Sequence, residues 1–167
     1  MIAGMTFDGG VRGGNPGHAG FAAVITIAGK AHTIARPLRG KNSNNVAEYM
    51  GLIVGLKYAH HLGVTEINIF SDSKLVVEQV NGNWRTDSYT MRMLCRDARD
   101  SLDKRFPGAW KLAWVPRLEN TIADTACAHA VACSLNPWKP NKLDPFFPNK
   151  ALVKVPRVRP RTHALTR

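Results

Sequence analysis

Four carboxylates sit in four separate segments of the sequence: Asp8 in TFDGG, Glu48 in NNVAEYMGL, Asp72 in IFSDSK and Asp124 in ENTIADTA. Each falls where a strand or helix is expected to end or begin. Hard divalent cations take oxygen ligands, and Mg²⁺ is usually held by a few carboxylates together with waters and substrate phosphate. Two such ions about 3.5–4 Å apart can clamp the attacking and leaving oxygens of an in-line displacement at phosphorus. Scattered acids that a fold gathers into one place meet that need. Singly, each has a plainer account. Asp8 precedes two glycines, as a turn residue would. Glu48 and Asp124 suit helix N-termini, and Asp72 suits a helix cap. Jointly, in a basic chain, the four point to phosphodiester chemistry on nucleic acid.

The charge supports that direction. The 167 residues include 23 Lys/Arg and 12 Asp/Glu, a formal net charge of +11, which favours a polyanionic partner and says nothing about fold. The charge is uneven: from Asn136 onward there are 8 Lys/Arg and 1 acid. The expected organisation is a catalytic domain over 1–135 and a basic, Pro-rich tail over 136–167, an arm suited to phosphates. Cys95, Cys127 and Cys133 are odd in number and form no CxxC pair. A disulfide framework is therefore not expected, and a reduced, cytoplasmic setting is. Cys127, His129 and Cys133 lie in one Ala-rich helical run at spacings that cannot all face one point, so buried small residues are expected there rather than zinc. No basic-then-apolar leader is evident. The longest apolar stretch, Ala19 to Gly29, is too short to cross a bilayer. A monomer is expected.

The elements that must position the acids follow from periodicity. MIAGMTF reads as a strand closing at Asp8 and running into a Gly/Asn/Pro loop. FAAVITIA and AHTIARPL read as two further strands around a turn at Gly29-Lys30. Asn44 or Asn45 offers an N-cap to a helix through Leu62, placing Glu48 in its first turn. Gly51 and Gly55 inside that helix suggest close packing on the sheet. EINIF is a buried strand ending at Ser71-Asp72, and Ser73 caps a short helix after it. A helix follows from about Asp87 to Arg105. AWKLAWV is a strand, and Asn120 or Thr121 opens a last helix to about Cys133. The order is βββ, α, β, αα, β, α.

At this point the residues resemble type 1 ribonuclease H. The likeness runs from about Thr6 to Ala130 through FDGG, GGNPGHAGFAAVI, SNNVAEYMGLIVGL, FSDSKLVVEQVNG and WVPRLENTIADTACA, in the family's order. It is nearer the compact form of archaea and many bacteria than the longer form with a basic protrusion. The resemblance implies an α/β fold with a five-stranded mixed sheet, three antiparallel strands then two parallel, flanked by helices. It implies endonucleolytic cleavage of the RNA strand of an RNA–DNA hybrid, leaving 3′-hydroxyl and 5′-phosphate ends, with double-stranded RNA as a second candidate duplex. By the same resemblance Asp8, Glu48, Asp72 and Asp124 would hold two Mg²⁺ or Mn²⁺ ions, with Asp8 bridging both. Asn15, Ser43 and Asn44 or Asn45 would touch the hybrid's backbone and 2′-hydroxyls. Lys74 and Asn120 would stand beside the metal-binding acids.

Two departures bear on mechanism. The loop between Asp8 and Asn15 is one residue longer than the family's usual one, with Gly13-Gly14 in tandem. The connection before the last helix, WVPRLEN, has no histidine where longer members carry one, and Arg117 occupies it. Arginine cannot shuttle a proton at neutral pH, but it can stabilise phosphate charge. His18 and His163 are the remaining histidine candidates, a solvated loop position being the plainer account of His18. Trp84, after NGN at a helix end, is the tryptophan expected to meet the hybrid, whereas Trp110 and Trp114 are expected to pack partly into the core. Arg85, Arg92, Arg96 and Arg99 interleave with Asp97, Asp100 and Asp103, as on a solvated, ion-paired helix face. Two other functions fit the same fold: a catalytically silent duplex-binding module, and another nuclease or strand-transfer enzyme.

Overall fold

The computed structural model describes residues 1–133. The tail expected at 136–167 and His163 lie outside them. The elements are β1 (Ile2–Arg12), β2 (Gly17–Ile27), β3 (Lys30–Asn42), α1 (Asn44–His61), β4 (Glu66–Ser71), α2 (Lys74–Asn81), α3 (Tyr89–Arg105), β5 (Trp110–Trp114), a short 3₁₀ turn (Arg117–Glu119) and α4 (Thr121–Cys133). They build one five-stranded sheet in the order β3-β2-β1-β4-β5. β1, β2 and β3 pair antiparallel, whereas β4 lies parallel to β1 and β5 parallel to β4. The expected α/β class, strand order and mixed sheet are all observed.

The main core lies between the sheet and α1, where Phe7, Phe21, Ile25, Tyr49, Leu52, Leu56, Ile67 and Ile69 are buried. α1 reaches the sheet closely because glycine allows it. A Cβ on Gly51 would stand 2.8 Å from the Asp8 carbonyl oxygen, and one on Gly9 would collide with the Ala47–Glu48 backbone. Those contacts bring the start of α1 against the middle of β1. On the opposite face Ala22, Cys127 and Val131 form a small second cluster under α4.

Several expected boundaries move, and each shift has a local cause. β1 does not stop at Asp8. It continues to Arg12 because the β1–β2 hairpin is long, with Asp8 opposite Ala22 and Arg12 opposite His18. The parallel ladder with β4 ends earlier, at Thr6 and Phe70, so Asp8 lies just beyond the end of β4. The turn after β1 is made by Gly13 and Gly14, both at positive φ. The second hairpin turns at Ala28-Gly29, not Gly29-Lys30, since Ile27 pairs with Lys30. Ser43, not an asparagine, caps α1: its hydroxyl accepts from the Val46 amide at 3.3 Å. Glu48 therefore lies one turn inside the helix rather than in its first turn. Ser88 caps α3, which begins at Tyr89 rather than Asp87.

Candidate active site

β1, α1, the end of β4 and α4 converge on an open cleft of about 450 Å³ whose walls include Asp8, Glu48, Asp72 and Asp124. Alternation along β1 selects the wall. Asp8, Gly10 and Arg12 share the face that α4 covers, where a Cβ on Gly10 would meet Cys127 and Val131. Asp72 leaves β4 one residue after the strand ends, and Asp124 lies in the first turn of α4.

Each acid is held by neighbours. Glu48 accepts from the Asn44 side-chain amide at 3.1 Å and from the Ser73 hydroxyl at 2.6 Å. Ser73 occupies the N-cap position of α2 but makes no side-chain capping bond, so its hydroxyl serves Glu48 instead of the helix. Asp72 accepts from Asn120 Nδ2 at 2.6 Å, and the same amide donates to the Phe7 carbonyl at 2.9 Å. Trp114 Nε1 donates to the Asp72 backbone carbonyl at 3.2 Å. Asp124 receives Arg117 Nη2 at 2.6 Å, and the guanidinium is largely exposed.

Crowding of like charge in a partly dry cleft shows in the titrations. Burial, reinforced by the charges of Asp72 and Asp124, pushes the Asp8 carboxyl up to about 6. Burial also pushes Glu48 up to about 7, with Asp8 and Asp72 adding to it while the bonds from Ser73 and Asn44 oppose it. The hydrogen bond and charge of Asp124 raise Arg117 further above its ordinary value, so it stays cationic. The Cys127 thiol, buried against Asp8 and bonded to the Gly20 carbonyl, is pushed well up and stays protonated. It is a packing group, as expected. Cys133 and His129 meet at 3.9 Å apart from it.

The donor set suits a hard divalent cation. All four groups are carboxylates, two of them hold their protons too tightly for their type, and a cation would relieve the repulsion responsible. Asn120 Oδ1 is buried with no partner among the described residues, a further oxygen turned to no protein donor. Among the described residues no three His, Cys, Asp or Glu side chains make a ready-made metal cage. An open wall of carboxylates is what a cation that keeps waters and substrate phosphate requires.

The other expected contacts are distributed unevenly. Asn44 and Arg117 line the cleft. Asn15 stands beside it, with Oδ1 accepting from the Asn44 amide at 3.1 Å. Ser43 is engaged as a cap, Asn45 is half-buried in the first turn of α1, and Lys74 is exposed at the start of α2. Trp84 is exposed on the segment after α2. Asn120 is 1% exposed, so it braces Asp72 from within and is not a surface contact. Trp114 is exposed rather than half in the core, whereas Trp110 packs against the core. The α3 arginines are only partly ion-paired. Arg96 meets Asp97, but Arg99 bonds the Gln79 and Val80 carbonyls and Arg92 the Thr86 and Asp87 carbonyls. Ser73 and Arg12 were not singled out by their sequence context. A serine at an N-cap position looks sufficiently explained, and Arg12 looked like loop.

A family model described as "Reverse transcriptase-like" matches residues 6–130. Bifunctional protein Rv2228c of Mycobacterium tuberculosis is 41% identical over 141 residues, covering 79% of this chain and 38% of the relative. The structure of its N-terminal RNase H domain, fused to maltose binding protein, superposes with TM-score 0.74 at 39% identity, covering 80% of this chain and 96% of that one. RNase H1 of Halobacterium salinarum superposes with TM-score 0.74 at 33% identity, over 79% of this chain and 98% of that one. LC11-RNase H1, isolated from compost and crystallised with an RNA/DNA hybrid, superposes with TM-score 0.73 at 29% identity, over 80% and 99%. The chain belongs to the ribonuclease H-like family. It spans 38% of the length of the curated mycobacterial relative that it matches.

Proposed function

We propose that this protein is a divalent-metal-dependent endoribonuclease that hydrolyses the RNA strand of RNA–DNA hybrids, leaving 3′-hydroxyl and 5′-phosphate ends. The observation that carries it is the meeting of four carboxylates, from four elements of an RNase H-like fold, on the wall of one cleft. A relative at 29% identity is bound to an RNA/DNA hybrid, which supports the substrate class. Asp8, Glu48, Asp72 and Asp124 would hold two Mg²⁺ or Mn²⁺ ions. When bound, the ions would supply an acidified water as nucleophile and offset charge on the departing oxygen.

The remaining work belongs to the chain. Ser73 and Asn44 fix both oxygens of Glu48. Asn120 and Trp114 fix Asp72. Arg117, permanently charged beside Asp124, faces phosphate as a cation and transfers no proton. Asn15, Ser43, Asn44 and Asn45 surround the start of α1, where amide groups can both donate to and accept from a 2′-hydroxyl, the group that separates RNA from DNA. Trp84 offers a stacking surface, and Lys74 a charge. The working location is the cytoplasm. Among the described residues no helix is long and apolar enough to cross a membrane.

The test is incubation with end-labelled hybrid, duplex DNA and duplex RNA in Mg²⁺, Mn²⁺ or EDTA. The expected result is metal-dependent cutting of RNA in the hybrid, with 3′-hydroxyl products. Hybrid bound but never cut, in either metal, would identify a silent binding module. Cutting of duplex DNA in preference to hybrid would identify another nuclease of this fold.

A further inference from the structure

Three basic side chains stand side by side across the end of the sheet. Arg12 on β1 is opposite His18 on β2, and His18 is opposite Lys41 on β3. Directly paired residues point to the same face of a sheet, so the three form one row. The face is that of α4, because Gly10, two residues before Arg12, lies against Cys127 and Val131, and Gly20, two after His18, lies against the backbone of α4. His18 is thus a strand residue at a defined register, not a solvated loop position. All three side chains are exposed. None makes a hydrogen bond or ion pair to a side chain among the described residues.

The row is continuous with the cleft. Arg12 itself lines it, on the same stripe of β1 as Asp8. Four residues of antiparallel strand separate their Cα atoms by about 14 Å, and the row spans two inter-strand steps, about 10 Å. The cleft wall is acidic at Asp8 and its rim is basic at Arg12. A polyanion drawn to the acids through cations would therefore meet fixed positive charge a few nucleotides away. An exposed lysine on an edge strand also guards against edge pairing, but that account does not cover Arg12 on the central strand.

Building on the ribonuclease reading, we propose that Arg12, His18 and Lys41 form a phosphate-binding row that grips the backbone of the nucleic acid beyond the acid cleft. Arg12 and Lys41 supply charge, and the His18 imidazole between them supplies a hydrogen-bond donor. Each neutralised phosphate adds about 0.9 to the slope of log K against log salt by the duplex DNA rule.

The experiment measures binding of fluorescently labelled hybrid by anisotropy over a salt series, in EDTA so that no cleavage intervenes. The full chain is compared with Arg12→Ala/Lys41→Ala, Arg12→Lys and Lys30→Ala. Lys30 is equally exposed but lies at the far end of β3, so its variant controls for charge loss alone. The double variant should flatten the slope by about 1.8, two phosphates' worth, while Arg12→Lys and Lys30→Ala keep the parental slope. An unchanged slope in the double variant, or equal flattening by Lys30→Ala, overturns the row. Parent cleavage of hybrid in Mg²⁺ is scored separately. A parent that cuts hybrid with an unaltered slope in the double variant sinks the row alone. A flattened slope with no cutting sinks the ribonuclease reading and leaves the row.

Discussion

Ser73 separates a structural role from a functional one at a single atom. Its hydroxyl donates to Glu48 at 2.6 Å and caps nothing. Ser73→Ala should therefore leave α2 intact by circular dichroism while cleavage or metal affinity falls about 10–100-fold, as for a group that orients a ligand. Loss of helix content with unchanged activity would return the residue to a capping role. The raised carboxyls give a second test. Their ordinary values are 3.8 for Asp8 and 4.5 for Glu48, and in the fold they stand at about 6 and about 7. Between those limits the folded protein binds more protons than the unfolded chain, so this contribution to stability is greatest below about pH 4 and declines as pH rises to 7. The melting temperature of metal-free protein should fall across that window, and Glu48→Gln should flatten the fall. Mg²⁺ should restore more stability at pH 8 than at pH 5, because it competes with the same protons. A metal-free melting curve insensitive to both pH and Glu48→Gln would contradict the crowding described here. The acids themselves were legible as residue types in suggestive contexts. Their partners were less so, because Ser73 and Asn120 sit at helix starts where capping already accounts for a polar side chain.

Two elements carry their own tests. The β2–β3 hairpin turns on Ala28 and Gly29, with φ of 48° and 79°, a two-residue loop in which both positions are left-handed. Alanine pays about 1–2 kcal/mol in that conformation, whereas asparagine tolerates it. Ala28→Asn should raise stability by about 0.5–1 kcal/mol in urea unfolding, and a loss would show that the turn differs. The segment after α2 is tied down by Gln79, which is buried, accepts from the Tyr49 hydroxyl at 2.8 Å and donates to the Arg85 carbonyl at 3.0 Å. Gln79→Ala strands that hydroxyl, so it should cost about 1–3 kcal/mol and weaken hybrid binding through Trp84. Unaltered stability would remove Gln79 from that role. Element order, strand pairing and helix identity were readable because period and punctuation agree along most of the chain. The length of β1 was not. DGGVRGG looks like a loop by composition, and only pairing with β2 across the hairpin makes its first half a strand. That misreading also hid the register that sets Arg12 beside His18.

At the scale of the molecule, a body that is basic overall concentrates its acids in one cleft. Carboxylates facing phosphate are a cost to a pure binder and an asset only with cations between them, which is why net charge and site are read together here. The alternation of antiparallel and parallel pairing makes this geometry possible. β4 leaves the sheet beside the middle of β1, so Asp72 emerges where Asp8 stands, and the glycines of β1 and α1 let Glu48 close the third side. None of this convergence is written in any one segment, which explains why the sequence showed the acids but not their mutual placement. The most direct test is Asp72→Asn, which preserves size and can still be held in place by Asn120. Its melting temperature and hybrid affinity in EDTA should stay near the parent's, while Mg²⁺-dependent cutting of the RNA strand drops by orders of magnitude. Cutting at the parental rate by this folded variant would contradict the claim that the four acids are the catalytic centre.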